Sequence, residues 1–478
     1  MTMETADAVR VLAEYASSLS SDTVPLATKE TATVLILDTL GTIVASSERP
    51  EMRNLSAVLP TTGEARLLGG RSRCTEPVWA AFANATAGSF LELDQGERPT
   101  GHPALHVLPA ALAHAESQHA SGSDLLTAFI VGYEVQSRIA NAFALRWPVH
   151  PHGTLGTPGA AAALARLDRS NSDEIRASIN AGASLTTATS WTSCLEGATT
   201  RNAFAGMTAQ AAFIARMLVK AGFTTAHDAV FDTFATILGE PNDLGALTAG
   251  LGETHAVDDA YIKFHAACAL VHPALDAVLD AVGADRRSGA YPPHVARRTL
   301  AAEDVESVDI LTTERASRLR CPDVQNELAA KFSLPFAVAT LLVNGATSPG
   351  SFAGENLTRE DVRDLARRVR VHSEPAMTAR WPLEFRAEAR IRLRDGTVLN
   401  GQCVNPYGSR DNPPSRDDVR AKFKCLTADK LPADSASSSW ETGMALKDST
   451  DVTDWLDGML GPRARPARDG RHDGAPTS

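Results

Sequence analysis

The sequence contains few aromatic residues and few lysines. Aromatic side chains account for 5% of its 478 residues, and only eight of its 46 basic residues are lysines. Because aromatic residues favour strands and the abundant alanine favours helices, this composition indicates many closely packed helices rather than a large sheet. A lysine within an apolar stretch is unusual in this chain and is therefore a candidate for a special role.

Cysteine pairs, a basic surface and long apolar runs are also lacking, and each of these absences excludes a class of protein. The six cysteines form no CxxC pair, which indicates free thiols in a reducing compartment rather than a disulfide framework or a zinc site. The net charge of −11 excludes a general nucleic-acid-binding surface, because phosphate binding requires a basic face. There is neither a signal-peptide pattern nor a run of about 18 apolar residues. We expect a soluble cytoplasmic protein with neither nucleic acid nor a membrane as partner.

The first part of the chain has the periodicity of helices. The length of the whole chain, 478 residues, predicts two domains. Apolar residues recur at helical spacing over 5–18, 28–46, 155–168 and 203–221, and Ser121 or Ser123 is a candidate N-cap for a further long helix. We therefore predict an all-helical domain whose first part spans residues 1–262.

The pattern changes after about residue 300. Residues 305–311 and 367–373 have the composition of strands, and 385–393 alternate strictly before an Asp-Gly turn and a second strand, which predicts a β-hairpin. An α+β lid domain is expected over 263–413, followed by a helical return segment over 414–462 and a disordered tail over 463–478. The predicted fold is thus mainly α with an α+β second domain, a large all-helical domain interrupted by a smaller lid.

The first candidate site segment is FLELDQGERPTGHP, which contains Glu92, Asp94 and His102. Two carboxylates and a histidine in one loop can perform acid–base chemistry. The alternative is a solvated loop whose carboxylates cap helices, which is common for such a segment taken alone.

The second segment, WPVHPHGTLGTPGAAAALARL, places His150 and His152 before glycines 153, 156 and 159. A dinucleotide-binding loop is a weak interpretation, because no strand precedes the glycines. A helix N-terminus that faces a substrate carboxylate fits better. The alternative is that the glycines only permit close contact between helices.

Two further segments supply cations. Arg201 follows a loop of small residues, and its planar guanidinium suits a carboxylate, although most arginines simply lie on the surface. Lys263 lies beside aromatic residues at the predicted domain junction, where partial burial is expected to lower its pKa and fit it for acid–base work. The alternative is a lysine whose amine reaches water. His272 lies downstream in the same segment.

Taken together and in order, these segments resemble the MmgE/PrpD family, whose members include 2-methylcitrate dehydratase, cis-aconitate decarboxylase and iminodisuccinate epimerase. ILDTLGTIVASS resembles the first core helix of the family, AAFANATAGSFLELD its substrate loop, and AAKFSLPFAVATLLVNG and NPPSRDDVRAKFKCL its lid and return segments. The resemblance covers roughly residues 10–461 and implies a helical domain with an α+β lid, a pocket between them and a homodimer.

The resemblance also implies roles for individual residues. It assigns proton transfer to His102 and Lys263 and places His150 and Arg201 where they hold substrate oxygens. Carboxylate-rich positions of the family fall on Glu92 and Asp94, and His152 and His272 are further candidates for substrate binding. The chain departs from the family at Gln95, Gly96, Glu97 and Ala269, where many members have other pocket residues; these changes alter the charge that would recognise a tricarboxylate.

The expected function is that of a cofactor-independent lyase that dehydrates or decarboxylates a small di- or tricarboxylic acid. No ligand cluster at metal spacing is evident in the sequence, so no metal is expected. The alternatives are an isomerase, epimerase or tailoring enzyme that acts on another carboxylated metabolite, and, from a different class, a non-catalytic member of the family.

Overall fold

The computed structural model describes residues 4–69 and 73–463, and the predicted disordered tail falls almost entirely outside them. The first part of the chain is helical, as expected. Its helices are α1 Thr5–Ser18, α2 Leu26–Ser46, α3 Pro50–Val58, α4 Pro77–Gly88, α5 Pro103–Ser117, α6 Gly122–Ala142, α7 Gly156–Leu167, α8 Ser172–Ser184, α9 Trp191–Leu195, α10 Ala203–Lys220 and α11 Ala229–Phe231. Short strand pairs join β1 Ala65–Arg66 to β2 Cys74–Thr75 and β3 Phe143–Leu145 to β4 Gly239–Pro241.

Small residues allow these helices to pack closely. A Cβ atom on Gly159 of α7 would lie 2.4 Å from the carbonyl oxygen of Gly132 in α6, and one on Gly156 would lie 2.5 Å from His106 in α5. Both distances are far below a normal contact, so only glycine fits at these crossings. The glycine run in this segment therefore permits close helix contacts, which was the alternative to an anion-binding helix N-terminus.

The second part of the chain contains the predicted sheet. Its strands are β5 Ala284–Arg286, β6 His294–Ala296, β7 Val305–Thr312, β8 Val369–Ser373, β9 Ala387–Leu393 and β10 Val398–Cys403. Four of them form one sheet in the order β10-β9-β7-β8, in which only the β7–β8 pair is parallel. Residues of β9 are buried at every second position and β9 pairs antiparallel with β10, which confirms the predicted alternation and hairpin.

The second part also contains helices, which are α12 His272–Val282, α13 Glu314–Ser317, α14 Glu327–Lys331, α15 Leu334–Asn344, α16 Glu355–Thr358, α17 Glu360–Ala366 and α18 Pro375–Arg380. Of these, α12 and α15 pack against the sheet. Buried side chains of α12, α15 and the sheet share one apolar core, which is separate from the main core of the helical part. The structure is therefore mainly helical with an α+β second part, as predicted; the boundaries at residues 263 and 413 stay predictions.

The chain then returns to the helical part through α19 Arg416–Thr427, α20 Ala433–Ala436, α21 Ser439–Met444 and α22 Val452–Leu460. The predicted cap is present: the side chains and backbone of Ser415 and Asp418 form a reciprocal capping box. Lys422 of α19 is fully buried, and its Nζ lies 2.7 Å from Asp38 Oδ1 of α2. No helix among the described residues is long and apolar enough to cross a membrane.

The pair between Lys422 and Asp38 should be a main determinant of stability. Lys422→Met leaves the Asp38 carboxylate buried without a partner, so we expect the free energy of unfolding to fall by about 3–5 kcal/mol. Urea unfolding followed by circular dichroism measures this loss. Asp38→Asn combined with Lys422→Met removes both charges and should restore about half of it or more, whereas Lys424→Met, two residues along the helix, should change little. Equal losses in the single and double variants would contradict this account.

Candidate active site

The segment that follows α4, residues 89–96, is buried and carries the two candidate carboxylates. Glu92 has a φ of +53°, a conformation that costs an L-residue about 1–3 kcal/mol unless the surroundings enforce it. Buried cations supply that enforcement by donating to the carbonyl oxygens of the segment: Arg201 Nη1 to Ser89 at 3.4 Å, Lys331 Nζ to Phe90 at 2.9 Å and Lys422 Nζ to Leu93 at 2.9 Å.

Two cations neutralise the two carboxylates. Arg201 forms an ion pair with Glu92, and Lys263 Nζ lies 3.4 Å from Asp94 Oδ1 and 3.6 Å from Glu92 Oε2. All four side chains are buried. Their charges sum to zero, so the inner end of the site has no surplus of positive charge.

The expectation that burial lowers the pKa of Lys263 is wrong. Its side chain is 0% exposed, and this burial alone would lower the pKa. The adjacent carboxylates of Asp94 and then Glu92 outweigh burial and raise the pKa of Lys263 above its usual value. The same pairing, with Lys263 and then His102 opposing burial, lowers the pKa of Asp94 far below its usual value. Lys263 is therefore an ion-pair partner of Asp94 whose ammonium form is favoured.

His102 lies at the N-terminus of α5, next to Asp94. Its Nδ1 is 2.8 Å from Asp94 Oδ2 and 2.9 Å from the carbonyl oxygen of Gln95. Both neighbours are acceptors, so Nδ1 must carry a hydrogen. In neutral His102 the lone pair is then on Nε2. This atom forms no hydrogen bond with any described residue. This arrangement is that of a histidine base oriented by a carboxylate.

A chain of polar side chains supports Asp94 from behind. Gln136 Nε2 donates to His106 Nδ1 at 2.8 Å, which leaves the ring hydrogen of His106 on Nε2, 2.8 Å from His152 Nδ1. His152 then carries its hydrogen on Nε2, 3.7 Å from Asp94 Oδ2. Burial lowers the pKa of His106 to about 3 and that of His152 well below its usual value, so both rings are neutral.

His150 has the opposite tautomer to His102. Its Nδ1 accepts a hydrogen bond from the backbone N–H of His152 at 3.0 Å, so its hydrogen is on Nε2. Burial, and then the charge of Arg201, lower the pKa of His150 well below its usual value. The ring of His152 stacks between His102 and His150, at centroid distances of 4.0 and 5.3 Å. The ring of His150 therefore presents an Nε2–H group, whereas Nε2 of His102 is the ring nitrogen left free by the contacts of Nδ1.

Asp94, His102 and His152 also place one potential metal-ligand atom each within 4.8 Å of one another. A metal would need a lone pair on each donor atom. Nδ1 of His102 faces two acceptors and therefore bears a hydrogen, and Asp94 is already neutralised by the Lys263 ammonium. The donor set does not fit a metal ion in this arrangement.

A cavity of about 320 Å³ opens in front of these residues, between the helical part and the α+β part. Four candidate residues from the sequence line it: Glu92, His102, His150 and Arg201. Three others, Asp94, His152 and Lys263, lie behind that surface and contact its members. His272 lines no part of it, because its ring is buried between the Tyr261 hydroxyl and the carbonyl oxygen of Ala267.

The departures from the family have structural consequences here. Gln95 is fully buried; its side chain donates to the Tyr133 hydroxyl at 2.6 Å and accepts from the backbone N–H of Ala104 at 3.1 Å. Glu97 lines the cavity, and burial raises its pKa to about 8. Ala269 lines the cavity with no charge of its own. The loop therefore contributes one carboxylate fewer than it would with an acidic residue at position 95. The carboxylate of Glu97, which it does contribute, is easily protonated because its pKa is raised.

The sequence analysis missed several residues of this region. Lys331 and Lys422 hold the carboxylate segment, and the scarcity of lysine in the chain was the signal that could have identified them. Trp191, Arg315 and Arg318 also line the cavity, and no local pattern in the sequence distinguishes them.

Comparisons with known proteins agree with this architecture. The sequence model of the MmgE/PrpD N-terminal domain matches residues 10–237, and that of the MmgE/PrpD C-terminal domain matches residues 265–448. Cis-aconitate decarboxylase of Mus musculus is 28% identical over 79% of this chain and 77% of its own length. The Homo sapiens protein of the same name is 27% identical over 81% and 80%, and that of Aspergillus terreus is 25% identical over 95% and 96%.

The relatives are enzymes named as decarboxylases, which are lyases, and both halves of the chain match the two domains of one family. The chain belongs to the MmgE/PrpD family.

Proposed function

We propose that the protein is a lyase that removes or adds a proton at a carbon next to a carboxylate, in the dehydration or decarboxylation of a small carboxylic acid. His102 is the proton-transfer residue. The proposal rests on one observation above all: two acceptors hold His102 Nδ1–H, so Nε2 of the neutral ring is available at the cavity surface.

The remaining residues have distinct roles in this proposal. Removing a proton next to a carboxylate places negative charge on the substrate oxygens. His150 offers an Nε2–H to those oxygens, and Arg201, whose pKa is raised by Glu92 against the opposing effect of burial, supplies a fixed positive charge. Lys263 keeps Asp94 ionised and so keeps His102 in the required tautomer. No step needs a metal or an organic cofactor.

The isomerase alternative uses the same residues. A base that removes a proton can also return it to another position or face, and the charge-balanced inner site does not require a substrate with three carboxylates. Loss of water or carbon dioxide distinguishes the lyase from an isomerase, which would exchange hydrogen with solvent and conserve mass.

We also propose a homodimer in which α10 forms part of the interface. Ala205, Ala209 and Ala212 of this helix are buried against the helical part. Its other side exposes apolar side chains, of which Met217 is 56% exposed and Ile214 37% exposed. Large apolar side chains on one helix face are typical of a surface covered by a partner.

Replacement of His102 should abolish turnover while preserving the fold. Asn can place an N–H near the position of Nδ1 but has no counterpart of the Nε2 base, so His102→Asn should lower kcat by about 10²–10⁴-fold. Reactions of cis-aconitate and other unsaturated or hydroxylated carboxylic acids in deuterated water, followed by NMR, measure turnover and exchange. His114→Gln, on the same helix and away from the cavity, is the matched control. Undiminished turnover in His102→Asn would contradict the assignment.

Replacement of Met217 should dissociate the dimer. A carboxylate at a buried apolar interface is costly unless it is paired, so Met217→Glu should give a monomer by light scattering at about 10 µM. Val58→Glu also introduces a charge at an exposed apolar position, but on α3, and should leave the mass unchanged. A monomeric unmodified protein would rule out the dimer.

A further inference from the structure

Aromatic side chains are concentrated in the lining of the cavity. Three of the six tryptophans of the chain line it, although aromatic residues make up only 5% of the sequence. They are joined by a tyrosine and two phenylalanines, so the aromatic lining consists of Trp147, Trp191, Tyr261, Phe332, Trp381 and Phe385. A small, fully charged acid makes no use of such a wall, whereas a planar ring stacks on it.

Trp191 connects the inner site to the opening. Its ring centroid is 4.5 Å from that of His150, 6.0 Å from that of Phe332, and 5.8 Å from that of Trp147, with an angle of 24° between the two indole planes. Trp147 remains 48% exposed. A continuous aromatic surface therefore extends from the candidate donor histidine to solvent.

The charges on this outer wall differ from those inside. The guanidinium of Arg318 lies 4.7 Å from the ring centroid of Trp147 and is paired with Glu314 at 2.8 Å. Arg315 also lines the cavity, and its side chain has neither an ion pair nor a hydrogen bond to any residue within the described ranges. Arg315 is exposed at the cavity surface, where a bound anion can reach it.

Other arginines at the opening have partners. Arg98 is paired with Asp411 at 2.9 Å, and Arg146, which has no ion pair among the described residues, donates to the carbonyl oxygens of residues 236 and 237. The inner cations are matched as well, Arg201 by Glu92 and Lys263 by Asp94. Arg315 is therefore the cavity-lining arginine with the fewest partners among the described residues, because its side chain has neither an ion pair nor a hydrogen bond there.

We propose that the substrate is an elongated aryl carboxylic acid rather than a compact tricarboxylate. Its inner carboxylate lies at Arg201 and His150, its ring stacks along Trp191 and Phe332, and a second anionic group on the far side of the ring meets Arg315. The cavity volume of about 320 Å³ falls within the range of pockets that bury drug-sized ligands. The position of the inner carboxylate rests on the proposed function.

Calorimetric titration of the whole protein with three probes tests this substrate class. The probes are cis-aconitate, which has no ring; cinnamate, which has a ring and one carboxylate; and 4-carboxycinnamate, which has carboxylates on both sides of the ring. We expect 4-carboxycinnamate to bind about tenfold more tightly than cinnamate, and cinnamate to bind more tightly than cis-aconitate.

Variants separate the contributions of the ring and of the outer charge. Arg315→Gln should remove the advantage of 4-carboxycinnamate over cinnamate, whereas Arg320→Gln, an exposed arginine outside the cavity, should retain it. Trp191→Ala should weaken both aryl probes about tenfold, with Trp191→Phe intermediate. Thermal unfolding of each variant verifies that it is folded, and Trp191→Phe keeps the test valid if Trp191→Ala does not fold.

Several results would overturn the proposal: cis-aconitate binding as tightly as the aryl probes, no binding of any probe, or an equal effect of Arg315→Gln on the binding of cinnamate and of 4-carboxycinnamate.

These binding results do not depend on His102, since stacking and ion pairing need no proton transfer. Normal turnover by His102→Asn together with the expected order of binding would reject only the proposed mechanism. Turnover that depends on His102, with preference for cis-aconitate, would reject only the aryl substrate.

Discussion

Two buried carboxylates in one short segment, Glu92 and Asp94, impose the constraint on which this structure depends. An ionised carboxylate inside a protein costs several kcal/mol unless a cation and further hydrogen-bond donors accompany it. The matching cations are Arg201, just before α10, and Lys263, at the start of the second part. Two further buried cations, Lys331 in α14 and Lys422 in α19, donate to carbonyl oxygens of the same segment. Correct assembly of the helical part, the α+β part and the return segment is therefore coupled to correct formation of the site.

The same constraint determines the chemistry that the site can perform. Because Lys263 and Arg201 match the two carboxylates, the ionised form of Asp94 is favoured, and its Oδ2 lies 2.8 Å from Nδ1 of His102, which is hydrogen-bonded to the carbonyl oxygen of Gln95. Burial keeps His106, His150 and His152 neutral, which fixes their tautomers through hydrogen bonds rather than through charge. In the proposed mechanism His102 is the oriented base and His150 the neutral donor, and Arg315 is the cavity-lining cation proposed to bind a second anionic group.

The sequence predicted what depends on neighbours along the chain. The helices of the first part, the hairpin formed by β9 and β10, and the capping box at Ser415 are local patterns of periodicity, turn chemistry and capping, and all three are present. The family resemblance predicted that His102, His150 and Arg201 line a pocket, and all three line the cavity. The pairing of Lys422 with Asp38 and the aromatic wall around Trp191 were not predicted, because they join segments far apart in sequence. The direction of the pKa shift of Lys263 was predicted wrongly for the same reason: its composition suggested burial, but the two carboxylates beside it are a tertiary feature.

The charge state of Lys263 is the most direct test of this account. Lysine labelled with ¹³C at Cε gives one NMR signal per residue, and with only eight lysines in the chain each signal can be assigned by single Lys→Met substitutions. If Lys263 is the permanent partner of Asp94, its Cε signal will show no titration between about pH 6 and about pH 9.5, since an ordinary lysine already titrates near pH 10.4. A titration midpoint near neutral pH would contradict the account and would make Lys263, rather than His102, the group that transfers the proton.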